Sequence, residues 1–222
     1  MATTAEVRRC TRLYSEPVGG RTVPGRATMS RRRNKRKESM HYLSHYESPL
    51  GAMTMAGDGE YLTGLWFDGQ RYDRSTISDD AAVQPRLPVF RQTAQWLDTY
   101  FEGTDPGFTP PISVEGSDFK KMVSSIMLSI PFGATSTYAR IAAEVARRTG
   151  RKQMSAQAVG GAVGRNPISL IVPCHRVLAS DGSLRGYAGG VERKERLLEM
   201  EGINVSGLST RPAADDGGGT RE

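Results

Sequence analysis

The stretch Ser155–Val177, SAQAVGGAVGRNPISLIVPCHRV, decides how the rest of the chain is read. Ser155 is a good N-cap, and the small residues behind it predict a short helix running up to Asn166 and Pro167. Ile168–Val172 is an apolar run of strand length, read as a buried strand that Pro173 stops. Cys174, His175 and Arg176 follow without a gap, in a chain of 222 residues with only two cysteines and three histidines. A lone cysteine is more often inert packing than chemistry. Pro173, however, fixes the backbone just before this one, and His175 and Arg176 place potential positive charge beside it, which favours a thiolate. A thiolate with an imidazole partner is an activated nucleophile. Neighbouring side chains on a strand point to opposite faces, so Cys174 and His175 meet only if the chain turns at Pro173.

The predicted helix on the N-terminal side is unusual. It carries Ala156, Ala158, Gly160, Gly161, Ala162 and Gly164. A glycine inside a helix costs about 1 kcal/mol relative to alanine. Such a helix suits either tight packing in the core or a close approach by something outside. A helix reading base edges in the major groove would carry Arg, Asn or Gln, and Gln157 is the single such residue here. Small residues fit the narrower minor groove, where little sequence can be read. The helix before it, TYARIAAEVARRTG, ends in basic residues and Gly150, so the two helices read as a helix-turn-helix. On the other side of the cysteine, GSLRGYAGG (182–190) reads as a loop whose backbone lines a pocket, and a last helix, about 191–201, packs Val191, Leu197 and Leu198 inward.

Farther out, residues 41–69 read as three strands separated by SPLG, GDGE and DGQ. A helix at about 88–102 puts Phe90, Ala94, Leu97 and Phe101 on one face, and another puts Phe119, Met122, Val123, Ile126 and Ile130 inward before stopping at Pro131 and Gly133. The proline-rich TDPGFTPPIS between them marks a domain boundary. The expected organisation is therefore a basic disordered tail over 1–39, an N-terminal domain over 40–108, a C-terminal domain over 109–205 and a second tail over 206–222. Met40 stands just before the first strand and is a second possible start of the protein.

Charge is unevenly distributed. Residues 41–115 hold 4 Lys/Arg against 11 Asp/Glu, whereas residues 116–202 hold 13 against 7. If the protein meets nucleic acid, the second block is the contact, with Arg147, Arg148, Arg151, Lys152 and Arg165 near phosphates. Two cysteines make no disulfide framework, and no apolar run of membrane-spanning length exists, so a reducing, cytoplasmic setting is expected, on the nucleoid if the source is bacterial. A metal site is not expected, since Cys10, His41 and His45 are loosely spaced.

IVPCHRV followed by GYAGG, with AVGGAVGRNP before it, resembles the methylated-DNA–protein-cysteine methyltransferase family, over roughly 41–202. The resemblance implies an RNase H-like α/β N-terminal domain and a mainly α C-terminal domain with a winged-helix-like helix-turn-helix. It implies a monomer that needs no cofactor and repairs O6-alkylguanine in double-stranded DNA, approached from the minor groove with little sequence preference. Cys174 would accept the alkyl group once, irreversibly. His175 would take its proton through a water, Glu201 would orient the histidine, and Asn166 would tie the turn before the active strand. Tyr138 would contact the flipped guanine, the carbonyls of Cys174 and Val177 would accept from its amine, and the amide of Ala188 would donate to O6. Ala156, Gln157 and Gly160 would face the DNA. Gln157 departs from the arginine common there, which puts the strength of DNA binding in doubt. Two alternatives stand beside it: an alkyltransferase-like protein that binds the lesion without transfer, although such proteins usually have another residue in place of the cysteine, and a Cys-His hydrolase, which leaves the helix-turn-helix without a purpose.

Overall fold

The computed structural model describes residues 41–208 except 76 and 78–80. The expected tail over 1–39 and Cys10 lie outside the described residues, as does most of the expected tail over 206–222; Leu208 is half-buried against Leu178, Leu184, Leu198 and Val205.

The three expected strands form. β1 (Tyr42–Ser48), β2 (Gly51–Gly57) and β3 (Leu62–Phe67) are antiparallel neighbours. The β1–β2 turn is held by Ser48 Oγ, which donates to Gly51 O and accepts from Leu50 N–H. A strand that sequence reading missed, β4 (Ala82–Val83), lies parallel to β1, giving a mixed sheet of order β3-β2-β1-β4. Two residues carry no periodicity, so only the sheet edge reveals it.

Helix α1 (Pro88–Phe101) begins with proline in its first turn. Phe90 and Leu97 are buried as expected, but Ala94 and Phe101 are only partly covered, and Trp96 and Tyr100 take the inner positions. The segment read as a linker is bound to the sheet: Leu62 N–H donates to Pro111 O, Ser113 N–H donates to Leu62 O, and Trp96 Nε1 donates to Phe108 O. Helix α2 (Asp118–Leu128) is capped by Ser117 and ends earlier than expected, at Ser129. Helix α3 (Tyr138–Thr149) is capped by Thr137 and closed by left-handed Gly150, and α4 (Ala156–Gly164) is capped by Ser155. One apolar cluster joins Met53, Phe67 and Leu97 to Val123, Ile141, Val159 and Leu197. Each fully buried side chain of this kind contributes about 1.5–3 kcal/mol by leaving water.

The expected strand Ile168–Val172 does not form. Ile168 alone bridges to the free edge of β3, with Leu65 N–H donating to Pro167 O and Ser169 N–H to Leu65 O. The chain then folds on itself: Leu170 takes φ +66°, and Ile171 and Val172 N–H bond back to Ser169 and Ile168. Asn166 decides this, because its side chain bonds the backbone on both sides of the turn and competes with ladder pairing. The apolar character is satisfied by burial without strand geometry. After the cysteine a short strand does form: β6 (Val177–Leu178) pairs in parallel with β5 (Ser136–Thr137). Helix α5 (Val191–Met200) closes the described fold.

Candidate active site

Cys174, His175 and Arg176 form one 3₁₀ turn, which directs Cys174 to Asn166 and both His175 and Arg176 to Glu201. Cys174 is 4% exposed. Its Sγ accepts from Asn166 Nδ2 at 3.1 Å, and the same amide donates to Val172 O at 2.8 Å and Ile168 O at 3.0 Å. Asn166 thus staples the turn and touches the sulfur it delivers.

His175 is completely buried, with Nε2 2.7 Å from Glu201 Oε1. Glu201 also accepts from Tyr100 Oη at 2.8 Å, Arg176 Nε at 2.8 Å, Arg176 Nη2 at 3.1 Å and Gly133 N–H at 3.1 Å. Burial alone would raise the Glu201 carboxyl, but bonds to His175 and Arg176 outweigh it and hold it at about 2. Burial lowers the His175 imidazole; Glu201 pulls the other way, while Arg176 and Lys194 add to the lowering. With the carboxylate charged and balanced by Arg176, the ring is neutral. The bond to Glu201 assigns its proton to Nε2, and Nδ1 is then an acceptor, buried with no partner in the structure.

These contacts correct one expectation. Arg176 does not lend charge to Cys174: its guanidinium is bound to Glu201, with Nη1 donating to Ile130 O at 2.7 Å. His175 is not a cation either. Burial pushes the Cys174 thiol up, opposed by Asn166 and by Lys194. Lys194 lies on α5 with no exposed surface, donating to Val177 O at 2.6 Å and Arg185 O at 3.3 Å. Burial lowers its ammonium to about 8, with Cys174 opposing. Sequence reading missed Lys194, although a signal existed: Val191, Lys194, Leu198 and Glu201 recur at helical spacing on one face. Tyr100, buried in α1, and Tyr187, buried with no partner for its hydroxyl, were missed as well.

Tyr138 begins α3, and its hydroxyl donates to Arg185 O at 3.1 Å. Burial, then Cys174, pushes it up to about 12. A Cβ on Gly186 would lie 2.5 Å from the Tyr138 hydroxyl oxygen, so glycine there lets the 182–190 loop close. That loop and α4 border a cleft of about 340 Å³ that includes Gly160, Arg165, Tyr187 and Ala188. A larger hollow, about 600 Å³, lies between Pro49 and the start of α5 and includes none of these residues. Cys174 is thus bonded to Asn166, and His175, the next residue, to Glu201. Val177 and Tyr138 are linked to each other through Lys194 and Arg185 O, and Ala188, Gly160 and Arg165 share the cleft. Ala156 and Gln157 are exposed on the first turn of α4, outside it. Arg151 and Lys152 border a separate hollow beside α3. Arg147 and Arg148 are both paired with Glu144 at 2.7 Å, so their charge is partly balanced.

Comparison with known proteins identifies the family. Residues 41–114 match the 6-O-methylguanine DNA methyltransferase ribonuclease-like domain, and residues 118–203 match the DNA-binding domain of the same proteins. The chain belongs to the methylated-DNA–protein-cysteine methyltransferase family. It is 38% identical over 162 residues to the methylated-DNA–protein-cysteine methyltransferase of Mycobacterium tuberculosis, covering 73% of this chain and 92% of that one. It is 39% identical to that of Methanosarcina barkeri, covering 74% and 99%. The crystal structure of Mycobacterium tuberculosis OGT in complex with DNA is similar with a TM-score of 0.62 at 37% identity, over 72% of this chain and 92% of that one. As a family member the protein is a DNA-binding repair enzyme that moves an alkyl group from methylated DNA to a cysteine of its own. Among the described residues no helix is long and apolar enough to cross a membrane.

Proposed function

We propose that Cys174 is the alkyl acceptor and that O6-alkylguanine in double-stranded DNA is the donor. The observation that carries this is the buried neutral imidazole next in sequence to Cys174, held by Glu201 at 2.7 Å with Nδ1 unpartnered. An O6-alkyl group is out of reach inside a duplex, so the base is flipped out, at a cost of a few kcal/mol. In the pocket, the Cys174 proton passes through one water to His175 Nδ1, and Glu201 steadies the imidazolium that forms. The sulfur then attacks the alkyl carbon; the S–C bond forms, the C–O6 bond breaks, and its electron pair leaves with the guanine. A thioether has no good leaving group, so each protein molecule reacts once. Val177 O and Cys174 O accept from the guanine amine, Ala188 N–H donates to O6, and Tyr138 contacts the flipped base. Val177 O already accepts from Lys194, and a carbonyl's second lone pair leaves room for this.

The DNA-facing element is α4, the second helix of a helix-turn-helix made with α3. A Cβ placed on Gly160, Gly161 or Gly164 would meet no atom of this chain closer than 3.7 Å. Packing within the molecule does not require these glycines, which supports close approach by a minor groove. Gln157, on the exposed first turn, enters the stack where the base has left. Residues 40–108 and 109–205 act as two domains of one monomer. The test is the intact mass of the protein after incubation with duplex DNA containing O6-methylguanine. One added methyl, mapped to Cys174 and absent from Cys174→Ala, is expected. Repeated turnover would overturn the single-use mechanism, and binding with no mass gain would mark a lesion-binding protein instead.

A further inference from the structure

The cleft beside α4 has a wall from the ribonuclease-like half that the chemistry above does not use. Arg71 and Tyr72, in the turn after β3, face Gly160, Arg165 and Ala188 there. The turn is fixed in an uncommon shape: Tyr72 takes φ +65° and Arg74 φ +52°, conformations that persist when the surroundings over-determine them. Arg74 lies 3.5 Å from Asp68 and 3.6 Å from Asp73, and Arg71 N–H donates to Ala188 O at 3.1 Å. The turn thereby braces the loop that carries Ala188.

Two guanidiniums lie over the one Tyr72 ring, that of Arg71 at 5.0 Å from its centre and that of Arg165 at 5.5 Å. All three residues are exposed, and neither arginine belongs to any of the ion pairs among the described residues. The face of the ring attracts each cation but does not cancel their mutual repulsion. A diester phosphate supplies the missing charge and matches the planar donor fork of arginine.

We propose that Arg71 and Arg165, held side by side by Tyr72, grip a backbone phosphate next to the flipped nucleotide, so that the ribonuclease-like half takes a direct part in DNA binding. Arg71 and Arg165 are the contacts and Tyr72 is the positioning residue. The inference rests on the reading of α4 and the 182–190 loop as the DNA-facing side. Because the Arg71 main chain holds Ala188, seating this phosphate also steadies the loop assigned to guanine O6.

The test measures affinity of the full chain for duplex DNA containing O6-methylguanine across a range of salt concentrations. Arg71→Gln should weaken binding several-fold and reduce the slope of log affinity against log salt by about one. Tyr72→Leu should shift both in the same direction, and Tyr72→Phe, which keeps the ring, should restore the parent values. Unchanged affinity and slope in Arg71→Gln would overturn the proposal. If either variant melts early, single methylphosphonate replacements in the DNA read the same contact on the parent protein. One position beside the lesion should lose affinity, and the absence of any such position would overturn the proposal. Methyl transfer to Cys174 in the parent is scored separately, so a failed phosphate grip and a failed transfer mechanism are told apart.

Discussion

The two sides of the proposed reaction site are built in opposite ways. Behind Cys174, Glu201 gathers Tyr100, His175, Arg176 and Gly133 N–H around one buried carboxylate, and Asn166 saturates the turn that carries the sulfur. In front, α4 presents glycines where a Cβ would meet its neighbours no closer than 3.7 Å, and Gln157 stands exposed. The rear is a closed network in which removing one member strands the others. The front is open, and its residues touch little within the chain. Substitutions behind the cysteine should therefore change stability and chemistry together, whereas those in front should change duplex repair alone.

The largest effect is expected from Glu201→Gln. Beyond orienting His175, the carboxylate is the counter-ion of buried Arg176, and removing one partner of such a pair costs about 3–5 kcal/mol. The urea midpoint should fall accordingly, and methyl transfer should slow. The acid response follows the same contact. Glu201 sits at about 2 in the fold against an ordinary value of 4.5. Its depressed value contributes stability in full above about 4.5, and that contribution is lost as pH falls toward 2. The parent should weaken through this window, and Glu201→Gln should lack that part of the response. Equal urea midpoints for variant and parent at pH 7 would break the contrast between rear and front.

Gln157→Ala sharpens the contrast from the other side. The flipping cost of a few kcal/mol bounds its effect, so repair of duplex DNA should slow by at most tens-fold. Reaction with free O6-benzylguanine, where no base is flipped, and the melting temperature should both hold. Equal duplex repair rates for variant and parent would reduce Gln157 to a surface residue.

Lys194→Met lies between the two sides and should have the smallest effect. At pH 7 the parent ammonium is charged and opposes the rise of the Cys174 thiol. Losing it should slow thiol alkylation, because the thiolate loses the buried cation that favours it. The gap should narrow as pH climbs past about 8, where the parent lysine sheds its own proton. A constant ratio across that range would show that Lys194 acts only by bonding Val177 O.

The rear and front also differed in how far they could be read without coordinates. Caps, stops and helical faces rest on spacings of a few residues, and Ser155, Gly150 and the three strands were read directly. The glycines of α4 could be found in sequence but not interpreted, because packing and an outside partner predict the same letters; only the structure shows that a Cβ there would meet its neighbours no closer than 3.7 Å, so internal packing does not demand glycine. Ile168–Val172 misled because apolar runs report burial, and burial alone does not choose between strand and turn. The sequence by itself determined the order of the first three strands and of the helices and, through PCHRV and its flanking blocks, the family and the residues expected to react. Only the tertiary structure decided their electrostatics: Arg176 turned to Glu201, His175 neutral, and Lys194 in place of both as the charge felt by Cys174. Protonation depends on desolvation and on partners far apart in the chain, such as Tyr100 and Glu201, which are separated by 101 positions.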